Sequence, residues 1–168
     1  MKLKQFSTRI LAFLSLALLS MTANAQSAGT WVDVGPGHAG AGGSATGQFQ
    51  HVDTDSRVGP MGSVARGVAV GAGPNGLSIS HSIGVNMGGR GTAQNFNLSI
   101  GPNGTHVSRG NVNSTGGNSR VIAGGSSNVG SPWNNPSGGS YATGYGRNTV
   151  AQTHAETQGH RSHMHPSM

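Results

Sequence analysis

Between Gly67 and Asn113 the chain spells one device twice, 28 residues apart. GVAVGAGPNGLSISHSIGVN (67–86) and NFNLSIGPNGTHVSRGNVN (95–113) each set Gly-Pro-Asn-Gly between two runs in which apolar and small polar residues alternate. Alternation with period two is the pattern of a β-strand, whose successive side chains leave on opposite faces. In Gly73-Pro74-Asn75-Gly76 and Gly101-Pro102-Asn103-Gly104 the proline presets φ for the first turn position and the asparagine tolerates the second. The closing glycine takes a backbone conformation that other residues avoid. Each copy therefore reads as a β-hairpin, and the two together as a sheet of at least four antiparallel strands.

The alternation also sorts the side chains. Val68, Val70, Leu77, Ile79, His81, Ile83 and Val85 point one way in the first copy, as Phe96, Leu98, Ile100 and Val107 do in the second. Ser78, Ser80, Ser82, Gly84 and Asn86, with Asn95, Asn97 and Ser99, point the other way. The apolar face is expected to need a cover, from the flanking segments or from another copy of the chain. His81 and Arg109 hold equivalent positions on that face and mark where the sheet meets water. Related turns at Val34-Gly35-Pro36-Gly37 and Val58-Gly59-Pro60-Met61-Gly62 extend the pattern upstream, less regularly.

The N-terminus reads as an export signal. Lys2, Lys4 and Arg9 precede the apolar run Ile10 to Leu19, and Ala23-Asn24-Ala25 supplies the small residues of a cleavage site before Gln26. The run is too short to span a bilayer, which takes about 20 residues. The expected mature chain is secreted, to the periplasm or beyond the cell, and does not span a membrane. It keeps seven arginines against four acids, a net charge of +3 spread along 143 residues, which does not make a nucleic-acid surface. With no cysteine it holds neither a disulfide nor a thiolate metal site. Leu, Ile, Phe and Val make up only 21 of those 143 residues. Stability must come from backbone pairing, close packing or assembly, and the 30 glycines argue against long helices.

The expected fold class is all-β. Antiparallel hairpin repeats carry long Gly/Ser/Asn loops, with open sheet, sandwich and solenoid left as alternatives. The expected divisions are the signal (1–25), a Gly-rich segment with short strands (26–65), the repeat (66–113), a loop-rich β segment (114–152) and a disordered His/Met-rich tail (153–168). Within them, Trp31 to Val34 and Arg120 to Ala123 read as short strands, and GPGHAGAGGSATG (35–47) reads as a flexible loop.

Few motifs carry chemistry. Gly71-Ala72-Gly73-Pro74-Asn75-Gly76 matches the letters of a dinucleotide loop, but a strand pattern follows it where the phosphate site needs a helix. His51, Asp53 and Asp55 alternate and would share a strand face, which reads as a polar strand before a metal or catalytic site. His160, His163, Met164 and His165 offer imidazole and thioether donors that suit copper, nickel or zinc. No nucleophile elbow or triad spacing is present. The expected function is that of a secreted non-enzymatic structural or interaction protein of surface, matrix or fibre type. It would self-associate, because its hairpins lack the charges that protect sheet edges. The alternative is a periplasmic metal-binding protein using the tail. A third reading has the flat Ser/Asn face bind a regular surface such as glycan or ice. The aromatics that could serve a glycan (Trp31, Trp133, Tyr141, Tyr145) all lie outside the repeat.

Overall fold

The structure, a computed structural model, describes residues 25–130 and 134–159. The expected export signal up to residue 24, Trp133 and the tail residues His160, His163, Met164 and His165 lie outside the described residues. Among the described residues there are ten strands and no helix. They are β1 (Gln26–Gly35), β2 (His38–Thr46), β3 (Phe49–Gly59), β4 (Gly62–Gly73), β5 (Gly76–Met87), β6 (Arg90–Gly101), β7 (Gly104–Thr115), β8 (Arg120–Val129), β9 (Ser137–Tyr145) and β10 (Asn148–Gly159).

All pairings are antiparallel and form two open sheets. One has the order β2-β1-β8-β9, the other β10-β7-β6-β5-β4-β3. They pack face to face without closing into a barrel. The two repeat copies are the hairpins β4–β5 and β6–β7, at the centre of the six-stranded sheet. Pro74-Asn75 and Pro102-Asn103 form their turns, and Gly76 and Gly104 follow at φ 137° and 151°. A Cβ at either glycine would collide with the carbonyl of the neighbouring strand, at Ile100 or Gln158. The turn asparagines also tie the sheets together. Asn75 Nδ2 donates to Gly130 O at 3.0 Å and Asn103 Nδ2 to Asn134 O at 3.3 Å, both in the β8–β9 connection.

The small polar face of the repeat is the one turned inward. Ser78, Ser80, Ser82, Asn97, Ser99 and Ser108 are fully shielded from solvent. They form a hydrogen-bonded layer with the four-stranded sheet. Thr30 Oγ1 lies 2.8 Å from the hydroxyls of Ser80 and Ser82, and Ser80 donates to Asn97 Oδ1 at 2.6 Å. Ser127 donates to Ile79 O, and Ser78 to Gln26 O, each at 3.0 Å. Toward the other end the interior turns apolar, with Ala65, Ala93 and Val112 of one sheet against Val32, Val34, Val121 and Ala123 of the other.

Size explains the choice of face. A Cβ on Gly71 would strike the carbonyl oxygens of Ser27 and Thr46, and one on Gly84 would lie 3.0 Å from Val34 Cγ2. The two layers approach too closely for Ile, Leu or Phe. Serine and asparagine fit the gap and satisfy their polar atoms across it, which burial requires. The expected cover for the apolar face is thus corrected: the flanking strands cover its reverse.

Three further expectations change. The Gly/Ala run is not a loop, because His38–Thr46 is the strand β2, paired with β1 from Gly35↔His38 to Ser27↔Thr46. Arg120 to Ala123 opens the longer strand β8, which runs to Val129. The segment read as a disordered tail from 153 is strand up to Gly159, because β10 pairs with β7 along its whole length, from Asn148↔Thr115 to Gly159↔Gly104.

Candidate interaction surfaces

With the polar face inside, the apolar face of the six-stranded sheet is left outside. Strand register lays its side chains in rows across the strands. One row runs Leu77, Ile100; the next Val70, Ile79, Leu98, Val107; the next Val68, His81, Phe96, Arg109, His154. Val64 and Val85 pair in a further row, and Ile83 lies between, opposite Arg66. Val64, Ile83, Phe96 and Ile100 are exposed, as are Arg66, His81, Arg109 and His154, and the other apolar side chains of these rows are half-buried. Four strands at ~4.8 Å spacing and about 30 Å of strand length make a face of roughly 600 Å², on which these apolar side chains alternate with Arg66, His81, Gln94 and Arg109. Contiguous apolar patches of a few hundred Å² often mark interaction sites. A shallow groove of about 750 Å³ crosses this face, lined by His81, Phe96, Arg109 and His154 among others. His81 and Arg109 thus stand in one row, as the repeat implies, on a face that is open to solvent throughout.

The edges of this sheet are not the repeat strands. They are β3 and β10, which carry three of the four acids, Asp53, Asp55 and Glu156. Asp53 pairs with Arg66 at 3.0 Å and Asp55 with Arg57 at 3.2 Å, beside His51 on the outward face of β3. Among the described residues no group of three or more His, Asp or Glu side chains is placed to hold a metal ion. Charged edges oppose strand addition, so the expectation of unprotected hairpin edges is corrected by the placement of the repeat at the sheet centre.

The outward face of the four-stranded sheet is different in kind. Gly42, Trp31, Gly124 and Tyr141 form one row across it. The Trp31 ring lies over β2, where a Cβ on Gly42 would sit 2.6 Å from Cε2 and one on Gly40 3.2 Å from Cζ3. Tyr141 lies over β8 in the same way, with its Cζ 2.6 Å from where a Gly124 Cβ would be. Trp31 is 43% exposed and Tyr141 48%. Beside them Asp33 accepts from Arg120 Nε at 2.8 Å and also from its Nη2, with His38 Nε2 3.3 Å away. The hydrogen bonds and charge of Arg120 hold the Asp33 carboxyl below its ordinary value, His38 adding to the effect and burial opposing it. Burial pushes the Tyr141 phenol up, and the Asp33 charge adds to the shift.

Of the other residues singled out from sequence, Ala25 precedes the first strand and Gln26 opens β1, fully buried. Gly71 to Gly76 spans the end of β4 and its turn into β5, with no helix to receive a phosphate. The Trp31–Tyr141 row is the feature sequence reading missed. Its signal was present as Gly-x-Gly in β2 opposite a lone tryptophan, but only the pairings reveal it. No protein-family model, curated protein or solved structure matches this chain.

Proposed function

We propose that this chain is a secreted, non-enzymatic structural or interaction protein that associates with copies of itself through the outward face of its six-stranded sheet. One observation carries the reading: among the described residues, the apolar face of the repeat hairpins is turned to solvent while their small polar face fills the interior. The whole face measures about 1,000 Å², six strands by roughly 36 Å, and a stable interface needs about 800 Å² from each partner. The face is also complementary to itself. A two-fold axis parallel to the strands lays β3 of one copy on β10 of the other. Asp53 then meets the row of Arg109 and His154, and Ile79 meets Leu98. The beginning of β1 at Gln26 agrees with export, since removal of residues 1–25 leaves every strand whole.

The test is sedimentation velocity on residues 26–168, with electron microscopy of the same sample. Dimers or larger ordered species are expected, reduced to monomer by the double substitution Ile79→Thr/Leu98→Thr, which places polar side chains of high strand propensity outward and leaves the interior untouched. A wild-type monomer at every soluble concentration, or a double variant that associates as strongly as wild type, would overturn the proposal.

A further inference from the structure

We infer that the outward face of the four-stranded sheet is a binding platform for a linear neutral polysaccharide, with Trp31 and Tyr141 as its two stacking surfaces. Each ring sits against a glycine of the neighbouring strand, Trp31 at Gly42 and Tyr141 at Gly124, and each residue is about half-exposed to solvent. The rings lie over β2 and β8, two strand spacings or roughly 10 Å apart, with β1 between them. The ground beside them is a shallow depression of about 440 Å³ floored by Gly29, Gly43, Gly125 and Gly139 and edged by the hydroxyls of Ser44 and Ser126. Glycines in strand interiors weaken a sheet, and here they leave room for the rings and keep the surface flat.

The chemistry of this surface selects its ligand. A pyranose ring presents a patch of C–H bonds on its face and hydroxyls at its rim. The first packs on an exposed aromatic face, and the second needs serine hydroxyls and charged donors within reach. Arg120, half-exposed beside Asp33, supplies such donors. A lipid or an apolar peptide would require neighbouring aliphatic groups. A small molecule would require an enclosing pocket, whereas this face is open and suits a polymer laid across the strands. The Ser/Asn face of the repeat is excluded from this role, because it is buried. The platform lies on the opposite side of the sandwich from the self-association face, so the two inferences stand or fall separately.

The experiment is retention of residues 26–168 on insoluble cellulose and chitin, with release by soluble cellohexaose and chitohexaose. Wild type is expected to be retained by at least one polymer and released by its oligosaccharide. Trp31→Leu still covers Gly42 but has no flat ring, and its retention should fall about tenfold or more, while Trp31→Tyr restores it. An unchanged urea transition of Trp31→Leu separates lost binding from lost fold. The Ile79→Thr/Leu98→Thr variant should bind each polymer as wild type does. No retention on either polymer, retention that the oligosaccharides do not compete, or full retention of Trp31→Leu would each overturn the inference.

Discussion

Asn97 and Leu98 are neighbours in β6, and their truncation tests which face of the repeat is inside. Asn97 is fully buried. Its Oδ1 accepts from Ser80 at 2.6 Å, and its Nδ2 lies within 2.6–3.1 Å of Asn95 Oδ1, Ser140 Oγ, Gly139 O and Ser108 Oγ. Two amide hydrogens serve two of these at a time, so Asn97→Ala removes three hydrogen bonds. At about 1 kcal/mol net for each, the loss is about 3 kcal/mol. It stays near that figure because Ser80 keeps Thr30, and Asn95 keeps Ser140, as partners. Leu98 is half-buried on the outer face among Ile79 and Val107. Its truncation leaves no internal cavity, and about half of a full leucine transfer is at stake, roughly 1 kcal/mol. Urea unfolding followed by far-ultraviolet circular dichroism, at the lowest workable protein concentration, measures both. With m near 2 kcal/mol/M, the midpoint should fall by about 1.5 M for Asn97→Ala and about 0.5 M for Leu98→Ala. If Leu98→Ala proves the more damaging, in the 2–5 kcal/mol range of core leucines, the apolar face is buried and the structural argument fails.

Asp33 gives a pH signature. Its folded-state pKa lies below the ordinary 3.8, so the stability it contributes is present above that value and is lost as pH falls through the folded pKa. Asp33→Asn should lower the unfolding midpoint at neutral pH and converge with wild type in strong acid, a comparison that thermal melts across pH 2–7 would make. Gly71→Ala drives a methyl into the Ser27 and Thr46 carbonyls and should destabilise by about 1–3 kcal/mol in the same urea assay, whereas an unchanged midpoint would mean the sheets are further apart. Gly42→Val should lift Trp31 off β2 and shift its emission to the red in a Trp133→Phe background, with no shift if the ring does not rest there. Truncation after Gly159 removes His160, His163, Met164 and His165 while sparing β10. It should leave sedimentation unchanged, and in a calorimetric titration with copper, nickel or zinc against residues 26–168, any binding common to both chains would place the ligands outside the tail.

The local half of this architecture is written in the sequence. Alternation from Gly67 to Asn113 sets which side chains share a face, and the two Gly-Pro-Asn-Gly turns set the hairpins, because both depend on residues adjacent along the chain. The Gly/Ala strand β2 escapes such reading: alternation is visible only through contrast in polarity, and HAGAGGSAT has almost none. It becomes a strand through backbone pairing with β1. The tail end of β10 is a strand for the same reason, through its pairing with β7.

Which face turns inward is a tertiary decision. An alternating strand offers two faces, and hydrophobicity alone favours burying Val, Leu and Ile. Here the partner sheet is so rich in glycine that it comes too close for them, and it supplies Thr30, Ser127, Ser140 and main-chain oxygens, some 30 to 50 residues away along the chain, to bind serine and asparagine instead. The two surfaces proposed above as interaction sites are products of that decision. The apolar face is outward because the polar one is satisfied within. Trp31 and Tyr141, 110 positions apart in the sequence, share a row only because β8 pairs with β1 on one side and β9 on the other.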